Sequence, residues 1–137
     1  MKRKIKFRGR IFDTTEWVYG SLIVYPDKEH NILTPRENHS PKMNDWRIDA
    51  ETVGQFTGFT DCVTREIYED DILHFARYGK NYTALVKWND EVGAWCMQLR
   101  YEPRCGCRPL SEWLNEERLK VIGNIHDNPE LFRKQNQ

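Results

Sequence analysis

Residues 51–73 read ETVGQFTGFTDCVTREIYEDDIL, with six carboxylates and two glycines set among apolar residues suited to strands. Thr52 to Phe59 has the β-branched and aromatic content of a strand, with Gly54 and Gly58 marking irregularities. DCVTRE then reads as a turn, and EIYEDDILHFARY as a second turn feeding a second strand. Acid–base catalysis needs a carboxylate in a pocket beside another titratable group. Glu69, Asp70 and Asp71 are instead consecutive at a turn, where neighbouring side chains diverge and water screens them. The stretch is therefore read as a strand, turn and strand corner rather than as an acidic active site.

The flanking sequence continues the pattern. KIKFRGRI, from Lys4, alternates basic and apolar residues with the period of a strand that has one wet and one buried face, Ile5 and Phe7 being assigned to the core. WVYGSLIVY, from Trp17, completes a hairpin with it across DTTE. From Pro26 to Trp46 the chain is polar and carries Pro26, Pro35 and Pro41, so a long loop is expected, with NILT as a short strand and with room for a binding element. YTALVKW and AWCMQLRY, joined by NDEVG, form the clearest hairpin. PLSEWLNEERL reads as a short helix and KVIGNI as a strand. NPELFRK reads as a terminal helix capped by Asn128 with Pro129 in its first position. Short strands with tight turns and accessory helices near the C-terminus predict a mainly β (α+β) protein, built as a small antiparallel barrel or curled sheet.

A chain of 137 residues suits one domain, 1–137, divided into an N-terminal hairpin and long loop (1–48) and a barrel-like core with a C-terminal helix (49–137). Charged residues make up 31%, but 12% aromatic content with five Trp argues for a packed core rather than disorder. Formal net charge is zero, so no global field marks a generic nucleic-acid or membrane binder. No apolar run is long enough to span a bilayer, and MKRKIKFRGR is not followed by the apolar segment of a signal peptide. A cytoplasmic protein is expected, with Cys62, Cys96, Cys105 and Cys107 as thiols and with no cofactor.

Three constellations are weighed against plainer roles. Lys4, Lys6, Arg8 and Arg10, interleaved with Phe7 and followed by Trp17 and Tyr19, could neutralise phosphates while the rings stack on bases. The plainer role, which is favoured, is a charged edge that discourages aggregation. Cys105 and Cys107 could offer two thiolates to zinc, with Cys96, Cys62 or His126 completing the set. The usual paired-knuckle spacing is missing, so free thiols are favoured and no metal site is assigned. A nucleophilic cysteine with His74 or His126 has weaker support still. GQFTG lacks both the dinucleotide fingerprint and the phosphate-loop lysine. Trp17, Trp88, Trp95 and Trp113 read as core or interface anchors, and opposite charge clusters in one chain favour a homo-oligomer.

Six segments in register resemble the YopX family of phage and prophage proteins: KFRG (6–9), WVYGSL (17–22), ETVGQFTG (51–58), EIYEDDI (66–72), VKW (86–88) and VIGNIHDNPEL (121–131). Two departures stand out: Asp70 where the family usually has the glycine of a Glu-Gly-Asp turn, and DCVTRE where it usually has a tight glycine turn. Asp tolerates left-handed backbone better than most residues, so Asp70 can keep the turn. The match of Asp71 to the family's turn aspartate implies a structural role, such as accepting backbone N–H bonds in an Asx-type turn. The resemblance also implies an SH3-like barrel portion and a bacterial host cell. The resulting expectation is a non-enzymatic, oligomeric binding or assembly module with no catalytic residue and no membrane contact. Its partners would be further copies of itself, a phage or host protein, or nucleic acid through the basic strand. A metal-assisted enzyme is the least favoured alternative.

Overall fold

The computed structural model describes residues 2–36 and 42–133. The chain forms two compact units, Met1–Phe56 and Thr57–Gln137. Their boundary lies inside a strand, later than the 48/49 division drawn from the sequence.

The first unit contains β1 (Phe7–Arg10), β2 (Trp17–Val24), β3 (His30–Pro35), β4 (Met43–Ile48) and the first three residues of β5 (Gly54–Thr60). All pairings are antiparallel, in the order β4-β3-β2-β1-β5. The β1–β2 hairpin forms where the alternation predicts it, Phe7 facing Gly20 and Arg10 facing Trp17. Gly9 is dictated by packing, because a Cβ there would run into the Ile48 side chain. Ile11 bridges to Ile48, which curls the sheet so that the end of β4 returns to the end of β1. The closure is a single bridge, and among the described residues no barrel closes.

The Pro26–Trp46 segment is a finding against expectation. Ten of its sixteen described residues are strand: the expected NILT strand is the centre of β3, and β3 and β4 pair from His30↔Ile48 to Pro35↔Met43. Ile32, in β3, is fully buried, and Ile48, two residues beyond the segment in β4, is nearly so. Its polar residues bond across the ladder, Asn31 Nδ2 donating to Asp45 Oδ1 at 2.6 Å and Trp46 Nε1 to Thr34 Oγ1 at 3.0 Å. Cross-strand polar pairs let a hydrophilic sequence make a sheet. Residues 37–41 of the expected loop, including Pro41, lie outside the described residues.

The second unit continues β5 and adds β6 (Glu66–Tyr68), β7 (Asp71–Arg77), β8 (Lys80–Asn89), β9 (Ala94–Leu99), α1 (Leu110–Glu116) and β10 (Lys120–Asn124). Strands β10-β7-β8-β9 form a four-stranded antiparallel sheet. Pairing of Leu73 with Ala84, and of Val86 with Met97, puts the main core on one face. Phe75, Leu110, Leu119 and Val121 complete it. Helix α1 is short but anchored, with Leu110 fully buried and the Trp113 ring 5.4 Å from that of Phe75. On the opposite face Ile72 and Leu85 pack with Ile125, Leu131 and Phe132.

The expected terminal helix is reduced to a 3₁₀ turn, Pro129–Leu131, with Pro129 at its start. Asn128 makes no forward cap. Its Oδ1 accepts the Asn124 N–H at 3.3 Å and fills the space a Cβ on Gly123 would need. Lys134, the end of that expected helix, lies outside the described residues.

Candidate functional site

The carboxylates of the 61–71 corner are held in three different ways. Asp61, 6% exposed, accepts the backbone N–H groups of Val63 (3.0 Å) and Arg65 (2.8 Å) on Oδ1 and that of Val121 (2.9 Å) on Oδ2. It closes the DCVTRE turn on itself and ties that turn to β10. Asp71 is almost fully buried, and its Oδ2 accepts the Tyr68 N–H at 2.7 Å. That bond reaches back three residues across the turn, instead of forward as in an Asx-type turn. Asp70 sits between them with φ +70°, in the left-handed region. Its main chain is bonded on both sides, N–H to the Val86 carbonyl at 2.9 Å and carbonyl to the Ile125 N–H at 3.0 Å.

The Asp70 side chain gathers two bases from distant segments. Oδ1 accepts from Lys87 Nζ at 3.1 Å, and Oδ2 lies 3.3 Å from His126 Nε2. His126 is aimed by the turn after β10, in which Asn124 Oδ1 accepts the N–H groups of His126 (3.0 Å) and Asp127 (2.9 Å). Burial acts to raise the Asp70 pKa, but the His126 hydrogen bond and the Lys87 charge outweigh it, and the group is held below its ordinary value. The arrangement is an ion-pair cluster with the carboxylate locked in its charged form. Such a group is a poor general base. Sequence reasoning singled out Asp70 and Asp71 but missed Asp61, Lys87 and His126 as its companions. The available signal was that VKW and VIGNIHDNPEL are motifs of the same kind as EIYEDDI.

Lys87 stands opposite Cys96 in the β8–β9 ladder. The Cys105–Cys107 segment runs beside β9, the Gly106 N–H donating to the Met97 carbonyl at 2.9 Å and its carbonyl accepting from Asn89 Nδ2 at 3.0 Å. All four cysteines are free, Cys96 buried, Cys105 half-buried, Cys62 and Cys107 exposed. Burial, with Cys105 and Cys107 nearby, pushes the Cys96 thiol up. Burial likewise raises Cys105, against a partial opposing effect of Lys87. Raised thiols are the reverse of the activated nucleophile that covalent catalysis needs. Among the described residues no group of three or more His, Cys, Asp or Glu side chains is placed to hold a metal ion.

The basic strand is not the open comb that alternation implies. Lys4 and Ile5 are exposed, Ile5 at 46%, whereas Arg8 is 6% exposed and Phe7 only half-buried. The Arg8 and Arg10 guanidinia lie over the Trp17 ring at 4.9 and 5.5 Å, and Lys6 Nζ lies 5.3 Å from the Phe56 ring. Lys6, Arg8 and Arg10 all have interactions within the protein. Alternation assigned the two faces of β1 but not that both are covered: Gly9 packs on Ile48 on one side, and on the other long basic side chains pack their stems and planar heads against aromatic rings.

An open cleft in the second unit is lined by Cys62, His74, Glu116, Glu117, Arg118 and Lys120 among others. Its acids are engaged outward, Glu117 with Arg77 at 3.2 Å and Glu116 with Arg108 at 2.6 Å, and His74 Nε2 lies 3.0 Å from Asn81 Oδ1. No helix of the described residues is long and apolar enough to cross a membrane. The family model described as "YopX protein" matches residues 6–133. No curated protein matches the chain.

Proposed function

The chain belongs to the YopX family, and on that premise we propose that it is a non-enzymatic binding and assembly module that works as a homo-oligomer. The observation that carries this reading is the surface of the first unit. In 56 residues it leaves Phe12, Tyr19, Val24, Tyr25 and Met43 between 37% and 51% exposed. Aromatic residues and Met are enriched at protein interfaces, and Val24 and Tyr25 are consecutive exposed residues at the end of β2. The occupant is a second copy, because a formal net charge of zero removes the long-range repulsion that keeps like molecules apart.

The acids and thiols that would serve an enzyme support the same reading. Asp61, Asp70 and Asp71 are engaged with backbone or ion-pair partners, and the Cys96 and Cys105 thiols are raised. The burial of Arg8 against Trp17 favours a structural role for the basic strand over a phosphate-binding one. The setting we propose is the cytoplasm of a bacterium carrying the phage or prophage, with a phage or host protein as a further partner.

Light scattering on the eluted protein tests the reading. The expected result is a species heavier than the 16.4 kDa chain, reduced toward a monomer by Val24→Asp with Tyr25→Asp. A monomer throughout the micromolar to sub-millimolar range would overturn it.

A further inference from the structure

The turn between β7 and β8 has only two residues, Tyr78 and Gly79, closed by the Arg77↔Lys80 pair. Both have positive φ, +52° and +74°. This is the type I′ pattern, in which Asn-Gly or Asp-Gly is favoured because bulky side chains resist the left-handed conformation. Here the first position holds tyrosine, and the residue is 92% exposed, so burial returns little for the strain. A second tyrosine repeats the arrangement. Tyr101 has φ +75° and is 69% exposed just beyond β9, where the Arg100 N–H still bonds to the Thr83 carbonyl at 2.8 Å. Each ring has a guanidinium from the preceding residue, Arg77 5.6 Å from the Tyr78 centroid and Arg100 5.0 Å from that of Tyr101.

We propose that Tyr78 and Tyr101 are a stacking platform for single-stranded nucleic acid, with Lys80 and Arg104 as phosphate contacts. The proposal uses residues of the second unit alone and does not rest on the assembly reading. The ladder places the two tyrosines at the same end of the sheet: Tyr78 precedes β8 by two residues and Arg100 bonds to Thr83, so at a strand rise of about 3.3 Å per residue their backbone positions are on the order of 10–15 Å apart. An extended strand covers that span with about two or three nucleotides. Charge favours this occupant: Lys80 and Arg104 are exposed cations against one exposed neighbouring acid, Glu102, and Glu117 is already paired with Arg77. The immediate neighbours Gly79, Lys80, Asn81, Glu102 and Pro103 supply no apolar rim of the kind that shields a protein hot spot. Largely exposed rings with guanidinium and ammonium groups nearby suit unstacked bases, whose π faces any sequence provides.

The test is fluorescence anisotropy with a labelled single-stranded oligothymidylate, and with the same strand annealed to its complement, at near-physiological salt. Expected is binding to the single strand and weaker binding to the duplex. Tyr78→Ala and Tyr101→Ala each lower affinity roughly ten-fold, Tyr78→Phe keeps it, and Lys80→Ala lowers the salt dependence. Tyr78→Gly is the decisive variant: it relaxes the turn, so melting temperature holds or rises while affinity falls. Absence of binding, equal affinity for duplex, or full affinity in both alanine variants would each overturn the proposal. Light scattering on the tyrosine variants reports the oligomer independently and is expected not to change.

Discussion

Asp61 Oδ2 accepts the backbone N–H of Val121, 60 residues further along the chain, at 2.9 Å. The same carboxylate holds the N–H groups of Val63 and Arg65, so one buried side chain sets both a local turn and the edge of a distant strand. Replacing it by alanine leaves three donors without that acceptor, one of them buried. Asp61→Ala is expected to lower unfolding free energy by about 3 kcal/mol, and Asp61→Asn, which keeps one carbonyl oxygen, by less. Denaturant unfolding measures both. A loss below about 1 kcal/mol for the alanine variant would mean that water replaces the carboxylate.

The Asp70 cluster predicts an acid limb in the stability profile. Its folded pKa lies below the ordinary value of 3.8, so the unfolded chain takes up the proton first as pH falls. The contribution is therefore fully present above about pH 4 and is lost as pH drops through the folded value. Asp70→Asn should cost on the order of 1 kcal/mol near neutrality, a modest figure because Lys87 is 42% exposed and solvent screens the pair. Melting temperatures of the two proteins should converge toward the acid end. Parallel curves down to pH 2.5 would contradict the assignment.

What the sequence makes legible is local, and what it hides is the partner. The β8–β9 hairpin was readable because its apolar residues alternate and its turn has Asn, Asp and Gly. Strand β3 was legible only as its NILT centre and β4 not at all, because hydropathy scores Asp45 as a loop residue although it accepts from Asn31 Nδ2 across the ladder. The turn positions of Asp70 and Asp71 were visible in EIYEDDI. Lys87 and His126 join Asp70 only once residues 17 and 56 positions away are folded against it. Arg8 is the instructive miss: period-2 alternation tells which side of β1 it occupies, and nothing local tells that this side carries the Trp17 ring.

That burial makes the basic residues of the N-terminal segment unequal. Arg8→Ser removes a covered guanidinium from the Trp17 face and should cost about 1–3 kcal/mol. Lys4→Ser, on an exposed side chain, should stay within about 0.5 kcal/mol of the parent. Thermal unfolding of the two single variants decides it, and equal small effects would show that the Arg8 packing is not maintained in solution. Replacing Lys4, Lys6, Arg8 and Arg10 together would therefore test folding before it tested binding.

Thr64 stands in the DCVTRE turn at φ +66°, a conformation that favours glycine. A β-branched residue is among the least suited to left-handed backbone, at a cost of roughly 1–2 kcal/mol. Its compensation is small: the side chain is exposed, and its hydroxyl donates only to the adjacent Val63 carbonyl at 2.6 Å. Glycine removes the steric cost and adds about 0.5–1 kcal/mol of unfolded-state entropy to be lost. The balance favours substitution, so Thr64→Gly is expected to stabilise by about 0.5 kcal/mol and Thr64→Asn to lie between. Thr64→Val, which keeps the branch and loses the hydroxyl, should be slightly worse than the parent. Calorimetric melting of the three variants gives the order directly, and a destabilised glycine variant would place the value of Thr64 in that short hydroxyl bond rather than in tolerated strain.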